Sequence, residues 1–155
     1  MNDFTQWADD NQLKLNPTKC QALEVCFKQG GPLHADIMIG AEKLPYVNKA
    51  KVLGIWLQCD LKWDSQVDNM IKKANQRLFM LRSVNKFGFD HHELVTVYTS
   101  DVRPIIEYGD VVWHSGLTDK QANDLERIQK RACRTILGFK KYTTYRDALD
   151  SCGLN

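Results

Sequence analysis

The sequence predicts an α+β chain: a short N-terminal helix with small antiparallel strands over residues 1–62, then a mainly α-helical bundle over residues 63–155. Three observations carry this prediction. Before residue 62, apolar residues fall in runs of strand length separated by Gly- and Pro-containing turn signals. After it, they recur at the spacing of one helix face. Asp90-His91-His92-Glu93 and Thr118-Asp119-Lys120-Gln121 have capping-box spacing and mark where two of the helices begin.

In the first part, Asn2 or Asp3 caps a short helix carrying Phe4, Trp7 and Ala8, and Leu15-Asn16-Pro17-Thr18-Lys19 breaks it. Ala22–Phe27 is an apolar run of strand length, and Gly30-Gly31-Pro32 is a loop signal. Residues 36–39, a turn over Gly40-Ala41-Glu42-Lys43, and residues 44–47 read as strand, turn, strand. Val52–Leu57 reads as a further strand with Gly54 inside it, and an interior glycine marks a bulge or close backbone approach.

In the second part, Asp64 or Ser65 opens a long helix ending near Gly88, with Val67, Met70, Ile71, Ala74, Leu78 and Leu81 on one face. The helix after Asp90 carries Leu94, Val97, Tyr98, Ile105, Tyr108 and Val112 on one arc. A second arc holds Val95, Val102, Ile106 and Trp113, which suits the central helix of a bundle. Pro104 is expected to kink or split it. A third helix runs from Thr118 to Gly138, and a short last one covers about 144–151. Residues 64–150 are expected to form the autonomous core, because two or three strands alone are marginal.

Composition bounds the function without naming it. The chain has 155 residues, 43% hydrophobic and 26% charged, with a formal net charge of +2. Residues 1–64 carry seven basic and eight acidic side chains, and residues 65–155 carry fourteen and eleven, so the basic excess lies in the helical part. The five cysteines form no C-x-x-C pair, and Met1 leads into polar Asn2-Asp3 without an apolar segment. Both point to reduced, mostly buried thiols in an intracellular protein of cytoplasm or nucleus. No apolar run approaches the ~18 residues of a membrane span, so no membrane partner is expected.

The third helix carries the clearest functional signal. Leu125, Ile128, Ala132 and Ile136 form its apolar face, and Arg127, Lys130, Arg131 and Arg134 stand opposite, with Lys140 and Lys141 following. From Arg127 to Lys141 there is no acidic residue. Phosphate backbones favour such a surface through counterion release, and arginine forks onto phosphate oxygens. Against this stands the plain alternative of a solvated outer face. Lys72, Lys73 and Arg77 form a weaker patch on the first long helix, and Arg82, Lys86 and part of Arg134 suit helix C-termini. Trp7-Ala8-Asp9-Asp10 imitates the Ala-Asp-Asp box of polymerases, but lies in a helical pattern where that box needs a hairpin turn. His91 and His92, adjacent on a helix, point about 100° apart and do not converge on one ion. No metal site is expected.

Five segments in order resemble LINE-type (non-LTR retrotransposon) reverse transcriptases. Trp7 with Asn11-Gln12-Leu13-Lys14-Leu15-Asn16-Pro17-Thr18-Lys19-Cys20 resembles the palm segment that follows the catalytic Asp-Asp box. Lys51-Val52-Leu53-Gly54-Ile55, then Asp60-Leu61-Lys62-Trp63, resembles the stretch with the primer-grip turn. Lys72-Lys73-Ala74-Asn75-Gln76-Arg77-Leu78 resembles the start of the thumb. Val102-Arg103-Pro104-Ile105-Ile106-Glu107-Tyr108-Gly109 with Val112-Trp113, and Leu125-Glu126-Arg127-Ile128-Gln129-Lys130-Arg131-Ala132, resemble later thumb segments.

The resemblance implies a C-terminal palm remnant over 1–62 and a helical thumb-like domain over 63–155. It implies Lys19 as an auxiliary general acid or phosphate counter-charge at the leaving pyrophosphate, and Leu53 and Gly54 as primer-grip-like residues. It assigns Arg127, Lys130, Arg131, Arg134, Lys72, Lys73 and Arg77 to an RNA–DNA or DNA template–primer duplex. The family's catalytic aspartates and its N-terminal polymerase portion have no counterpart here. The family would use Mg²⁺, and no cofactor is expected in this chain. The competing expectations are a co-opted helical protein-interaction module and a transposon remnant without function. The chain alone, given template–primer and Mg²⁺ in an incorporation assay, is expected to give no primer extension; any extension sinks that expectation.

Overall fold

The computed structural model describes residues 2–27, 35–138 and 144–154. The chain divides into two compact units, Met1–Lys62 and Trp63–Asn155. The α+β class holds, with two small antiparallel strand pairs in the first unit and a helical bundle in the second. The Gly30-Gly31-Pro32 turn signal and Lys140 and Lys141 lie outside the described residues.

The first unit opens with α1 (Asn2–Asp10), which places Asp9 and Asp10 on a helix. A one-turn 3₁₀ helix, Pro17–Lys19, follows. Asn16 caps it, with Oδ1 accepting from the Thr18 amide at 3.1 Å and the Thr18 hydroxyl at 2.6 Å. Strands β1 (Met38–Ile39) and β2 (Glu42–Lys43) pair antiparallel, Met38 opposite Lys43 and Ile39 opposite Glu42. Their turn is the two residues Gly40-Ala41, shorter than the four expected. The Leu44 amide still donates to Ile37 O at 2.8 Å, and the pairing stops at Pro45, which has no N–H to donate. They meet Ala22 in one parallel bridge, with the Ala22 amide donating to Pro45 O at 2.9 Å and the Val47 amide to Ala22 O at 2.9 Å. The expected strand over Ala22–Phe27 reduces to that bridge, and Phe27 is exposed.

The expected strand over Val52–Leu57 is corrected more sharply. The chain turns at Leu53-Gly54, joining β3 (Lys49–Val52) to β4 (Ile55–Gln58), with Lys51 opposite Trp56 and Val52 opposite Ile55. Both turn residues have positive φ, 47° at Leu53 and 89° at Gly54, as the twist of a two-residue hairpin requires. Glycine accepts this freely and leucine does not. Among the described residues, the unit's buried apolar cluster comprises Ala22, Ile39 and Leu44, with Leu15, Cys20, Ile37 and Tyr46 packed around it.

The second unit is built on α2 (Asp64–Lys86) and α6 (Asp119–Leu137). Val67, Met70, Ala74, Leu78 and Leu81 are buried on α2, and Leu125, Ile128, Ala132 and Ile136 on α6, as their spacing predicts. Three polar contacts fix the pairing. Gln121 Nε2 donates to Asp64 Oδ1 at 2.8 Å, Arg131 Nη1 to Asn75 Oδ1 at 2.6 Å, and Asn85 Nδ2 to Thr135 O at 2.9 Å. Partner numbers rise together, so the helices run in the same direction and their C-terminal ends lie side by side. Both capping boxes form, Asp90 with Glu93 and Thr118 with Gln121.

The expected helix after Asp90 is split. It comprises α3 (His91–Val97), a π-helical turn (Tyr98–Val102), α4 (Arg103–Glu107) and α5 (Asp110–Trp113), which runs into the 3₁₀ turn His114–Gly116. Pro104 donates no N–H to the Ser100 carbonyl and its ring crowds it, so the backbone widens and the Arg103 amide reaches Tyr98 O instead. Thr99 and Ser100 hydroxyls donate to the carbonyls of Val95, Thr96 and Val97 at 2.9–3.3 Å. The complete break comes at Gly109, whose φ of 67° ends the helix. Trp113 then folds back, its indole donating to Tyr108 O at 3.0 Å, and is buried. The π-helical turn shifts the helical phase ahead of Tyr108, and the Gly109 break shifts it again ahead of Val112, so both residues, expected inside, are exposed.

Helix α7 (Tyr145–Cys152) closes the core, capped by Thr144 and ended at Gly153. Ala74, Leu78, Leu81, Leu94, Tyr98, Val102, Ile128 and Cys133 pack there with Ala148, Cys152 and Leu154. Burial contributes about 1.5–3 kcal/mol for each large aliphatic side chain. All five cysteines are free; Cys133 and Cys152 are buried, whereas Cys20, Cys26 and Cys59 are half-buried, short of the mostly buried set expected. The Tyr98 hydroxyl is buried with no hydrogen-bond partner among the described residues. Burial, then Cys133, pushes its pKa above the usual 10.0, against a lowering by Arg103.

Two outcomes follow from this core. A folded state that holds the Tyr98 proton longer than the unfolded chain keeps that stability in full below pH ~10 and loses it as pH climbs further. Tyr98→Phe is therefore expected to be neutral or slightly stabilising in urea unfolding at pH 7, by up to about 1 kcal/mol, and to lose less stability than the parent at higher pH. A parent that outlasts the variant at high pH contradicts this. Gly116 lies against the Trp63 indole, and a Cβ there would collide with the ring. Gly116→Ala should cost about 1–3 kcal/mol by overpacking, read as a lower urea midpoint.

Candidate nucleic-acid interface

The parallel packing of α2 and α6 leaves an open furrow along one flank, in two adjoining troughs. The first, about 510 Å³, is lined by Arg82, Asn85 and Lys86 of α2, by Arg131, Arg134 and Thr135 of α6, and by Gly138. The second, about 550 Å³, is lined by Ile71, Asn75, Asp124, Arg127, Ile128, Lys130, Arg131 and Arg134. Arg131 and Arg134 belong to both.

The first trough has four cations and no carboxylate among the residues lining it. Two helix C-termini meet there, and each contributes roughly −0.5 of an elementary charge. Together they offset about one cation of the four, so dipole complementation leaves most of the positive charge over. Arg82, Lys86 and Arg134 make no ion pair or hydrogen bond among the described residues. Arg131 is held by Asn75. Asn85 and Thr135 place neutral polar groups between the cations. The trough can take an anion with several oxygens, since guanidinium groups donate in fixed forks.

The second trough is less uniform than the sequence suggests. Arg127 Nη1 meets Asp124 Oδ1 at 2.7 Å, and Lys130 Nζ meets Glu126 Oε2 at 3.2 Å. Carboxylates from the first half of α6 therefore share the outer face with the cations of its second half. Such exposed pairs are worth roughly 0–1 kcal/mol and are readily exchanged for a phosphate. Lys130 also lies 4.6 Å from the centroid of the Tyr145 ring, which links α6 to α7. Burial, then Glu126, pushes the Tyr145 phenol up to about 12.

Among the residues picked out in the sequence, the structure gathers Arg127, Lys130, Arg131 and Arg134 along one furrow. Lys72, Lys73 and Arg77 are exposed on α2 but line neither trough. At 100° per residue, Lys73 and Arg77 fall on the flank of α2 opposite Asn75 and Arg82. Arg77 Nη1 approaches Met80 Sδ at 3.4 Å. Lys19 ends its 3₁₀ turn, exposed, and Leu53-Gly54 forms the exposed tip of a hairpin, both in the first unit. Asp9 and Asp10 are exposed on α1, where Asp10 accepts from Gln6 Nε2 at 2.9 Å. His91 and His92 are exposed in the first turn of α3.

Arg82, Asn85 and Lys86 are the residues that sequence reading passed over as a site. A signal was present: Asn75, Arg82 and Lys86 are spaced by seven and eleven, which returns them to one flank of α2. Nothing local says that α6 lies beside that flank. Among the described residues, no group of three or more His, Cys, Asp or Glu side chains is placed to hold a metal ion, and no helix is long and apolar enough to cross a membrane. No protein-family model, curated protein or solved structure matches this chain.

Proposed function

We propose that this chain is a thumb-like nucleic-acid-binding segment of a LINE-type reverse transcriptase, holding a template–primer by its phosphate backbone. One observation carries the reading: Arg82 and Lys86 of α2 and Arg131 and Arg134 of α6 line one trough without a carboxylate. The ordered run of five segments resembling that family supports it. In this reading the Leu53-Gly54 turn meets the primer backbone, where a strand tip with positive φ suits close approach, and Lys19 faces the leaving pyrophosphate. The chain contributes binding and positioning, and polymerisation needs carboxylate-held Mg²⁺ supplied by catalytic aspartates of the kind the family carries. Free thiols suit an intracellular setting, cytoplasm or nucleus.

A second reading, a helical protein-interaction module, is favoured by one observation. Tyr108, Val111 and Val112 are exposed side by side around the Gly109 break, Val111 at 90%. Charge and salt separate the two readings.

Fluorescence anisotropy with a labelled RNA–DNA hybrid, titrated from 50 to 200 mM salt, provides the test. A backbone-binding trough gives log K falling linearly with log salt, with a slope of roughly −0.9 per phosphate neutralised. The change Arg82→Ala/Lys86→Ala/Arg131→Ala/Arg134→Ala should flatten that slope by about 3–4. Arg127→Ala/Arg131→Ala/Arg134→Ala should flatten it by about 2–3. Far-ultraviolet circular dichroism checks that each variant stays helical. Binding indifferent to salt and to both variants rejects the nucleic-acid reading in favour of the interaction module.

A further inference from the structure

The cations of the α2–α6 furrow account for a phosphate backbone, but an exposed aromatic side chain on the same helix has no use for phosphate. Phe79 is 68% exposed on α2. Residues one turn away on a helix are neighbours. Towards the N-terminus that neighbour is Asn75, which lines the second trough; towards the C-terminus it is Arg82, which lines the first. Phe79 itself lines neither trough; at 100° per residue it lies about 40° from Asn75 and about 60° from Arg82, on the solvent side of the stripe that borders both troughs. Two turns away in either direction are Lys72 and Lys86, both exposed. The outer stripe of α2 thus reads Lys72, Asn75, Phe79, Arg82, Lys86, and no acidic residue occurs on this helix after Asp68.

A basic stripe with an aromatic ring set into it is what an unpaired strand requires. A duplex keeps its base faces stacked inside the helix and offers the ring little, whereas each base of a single strand has a free π-face. We infer that the furrow takes single-stranded nucleic acid, with phosphates on Arg82, Lys86, Arg131 and Arg134 and one base stacked on Phe79. The inference rests on the nucleic-acid reading above and narrows its ligand to an unpaired strand, such as a template overhang.

The test uses the full chain and three probes of one sequence: single-stranded RNA of about 12 nucleotides, the same strand as DNA, and the blunt RNA–DNA hybrid. Phe79→Ala should weaken single-strand binding roughly 5- to 100-fold, the effect of one lost base stack, and leave hybrid binding and the salt slope as they were. Phe79→Trp should restore single-strand affinity. An equal loss on hybrid and single strand overturns the inference, as does no loss on any probe, which is the result for a ring that faces a protein partner. Arg131→Ala/Arg134→Ala separates the two levels. A response to the cations without a response at Phe79 ends this inference alone, and silence at both ends the nucleic-acid reading with it.

Discussion

Helices α2 and α6 lie side by side and run the same way, and nearly everything in the second unit follows from that contact. Apolar stripes at positions 74, 78 and 81 of one helix and 128, 132 and 136 of the other supply the adhesion. Adhesion along a stripe leaves sliding and direction loosely specified. The polar contacts Asp64–Gln121, Asn75–Arg131 and Asn85–Thr135 settle both, because each has a short reach and a fixed geometry. Parallel packing has an electrostatic cost, since two helix C-termini then lie together. Lys86 and Arg134 in the last turns offset that cost, and Arg82 and Arg131 one turn earlier take the positive charge beyond what the dipoles need. The surplus is the positive trough. Core packing and candidate function thus come from one interaction.

The passage from α3 to α5 shows how the chain handles a local conflict between helix and proline. Pro104 withholds an amide and crowds the preceding turn, and a π-helical turn with back-bonding hydroxyls accommodates it. The helix continues for only five residues before Gly109 ends it. Burying Trp113 then compensates by bringing a large ring and its N–H donor back onto the break. The same rearrangement strands Tyr108, Val111 and Val112 outside, which is the apolar surface that a protein-binding role would use. Tyr98, in the widened turn, packs its ring in the core at the expense of a hydroxyl without a partner among the described residues.

The first unit is organised differently. Among the described residues its buried cluster has three small or medium side chains, and its strands are two and four residues long. Turn geometry does more there than burial. Leu53 accepts a positive φ so that β3 and β4 can pair in register, which brings Lys49 Nζ to 5.7 Å from the Trp56 ring centroid. An exposed leucine held at positive φ makes this tip a strained feature of the hairpin.

What could be read from the sequence was what depends on near neighbours along the chain. Helix starts at Asp64, Asp90 and Thr118, the capping boxes and the buried faces of α2 and α6 are set by periods and pairings within about one or two turns. The basic half of α6 was legible for the same reason. The hairpin at Leu53-Gly54 was not, because Leu-Gly lacks the Asn-Gly or Asp-Gly signal and only cross-strand pairing with Trp56 and Ile55 selects the turn. Nor was the true end of the helix after Asp90, where Gly109 takes a positive φ and the Trp113 indole folds back onto the Tyr108 carbonyl. Above all, the sequence could list Arg82, Lys86, Arg131 and Arg134 but not assemble them. Arg82 and Arg131 are nearly fifty residues apart along the chain. Their sharing of one trough depends on the direction and register of two packed helices, which is a tertiary choice made by Asn75, Asn85 and Gln121.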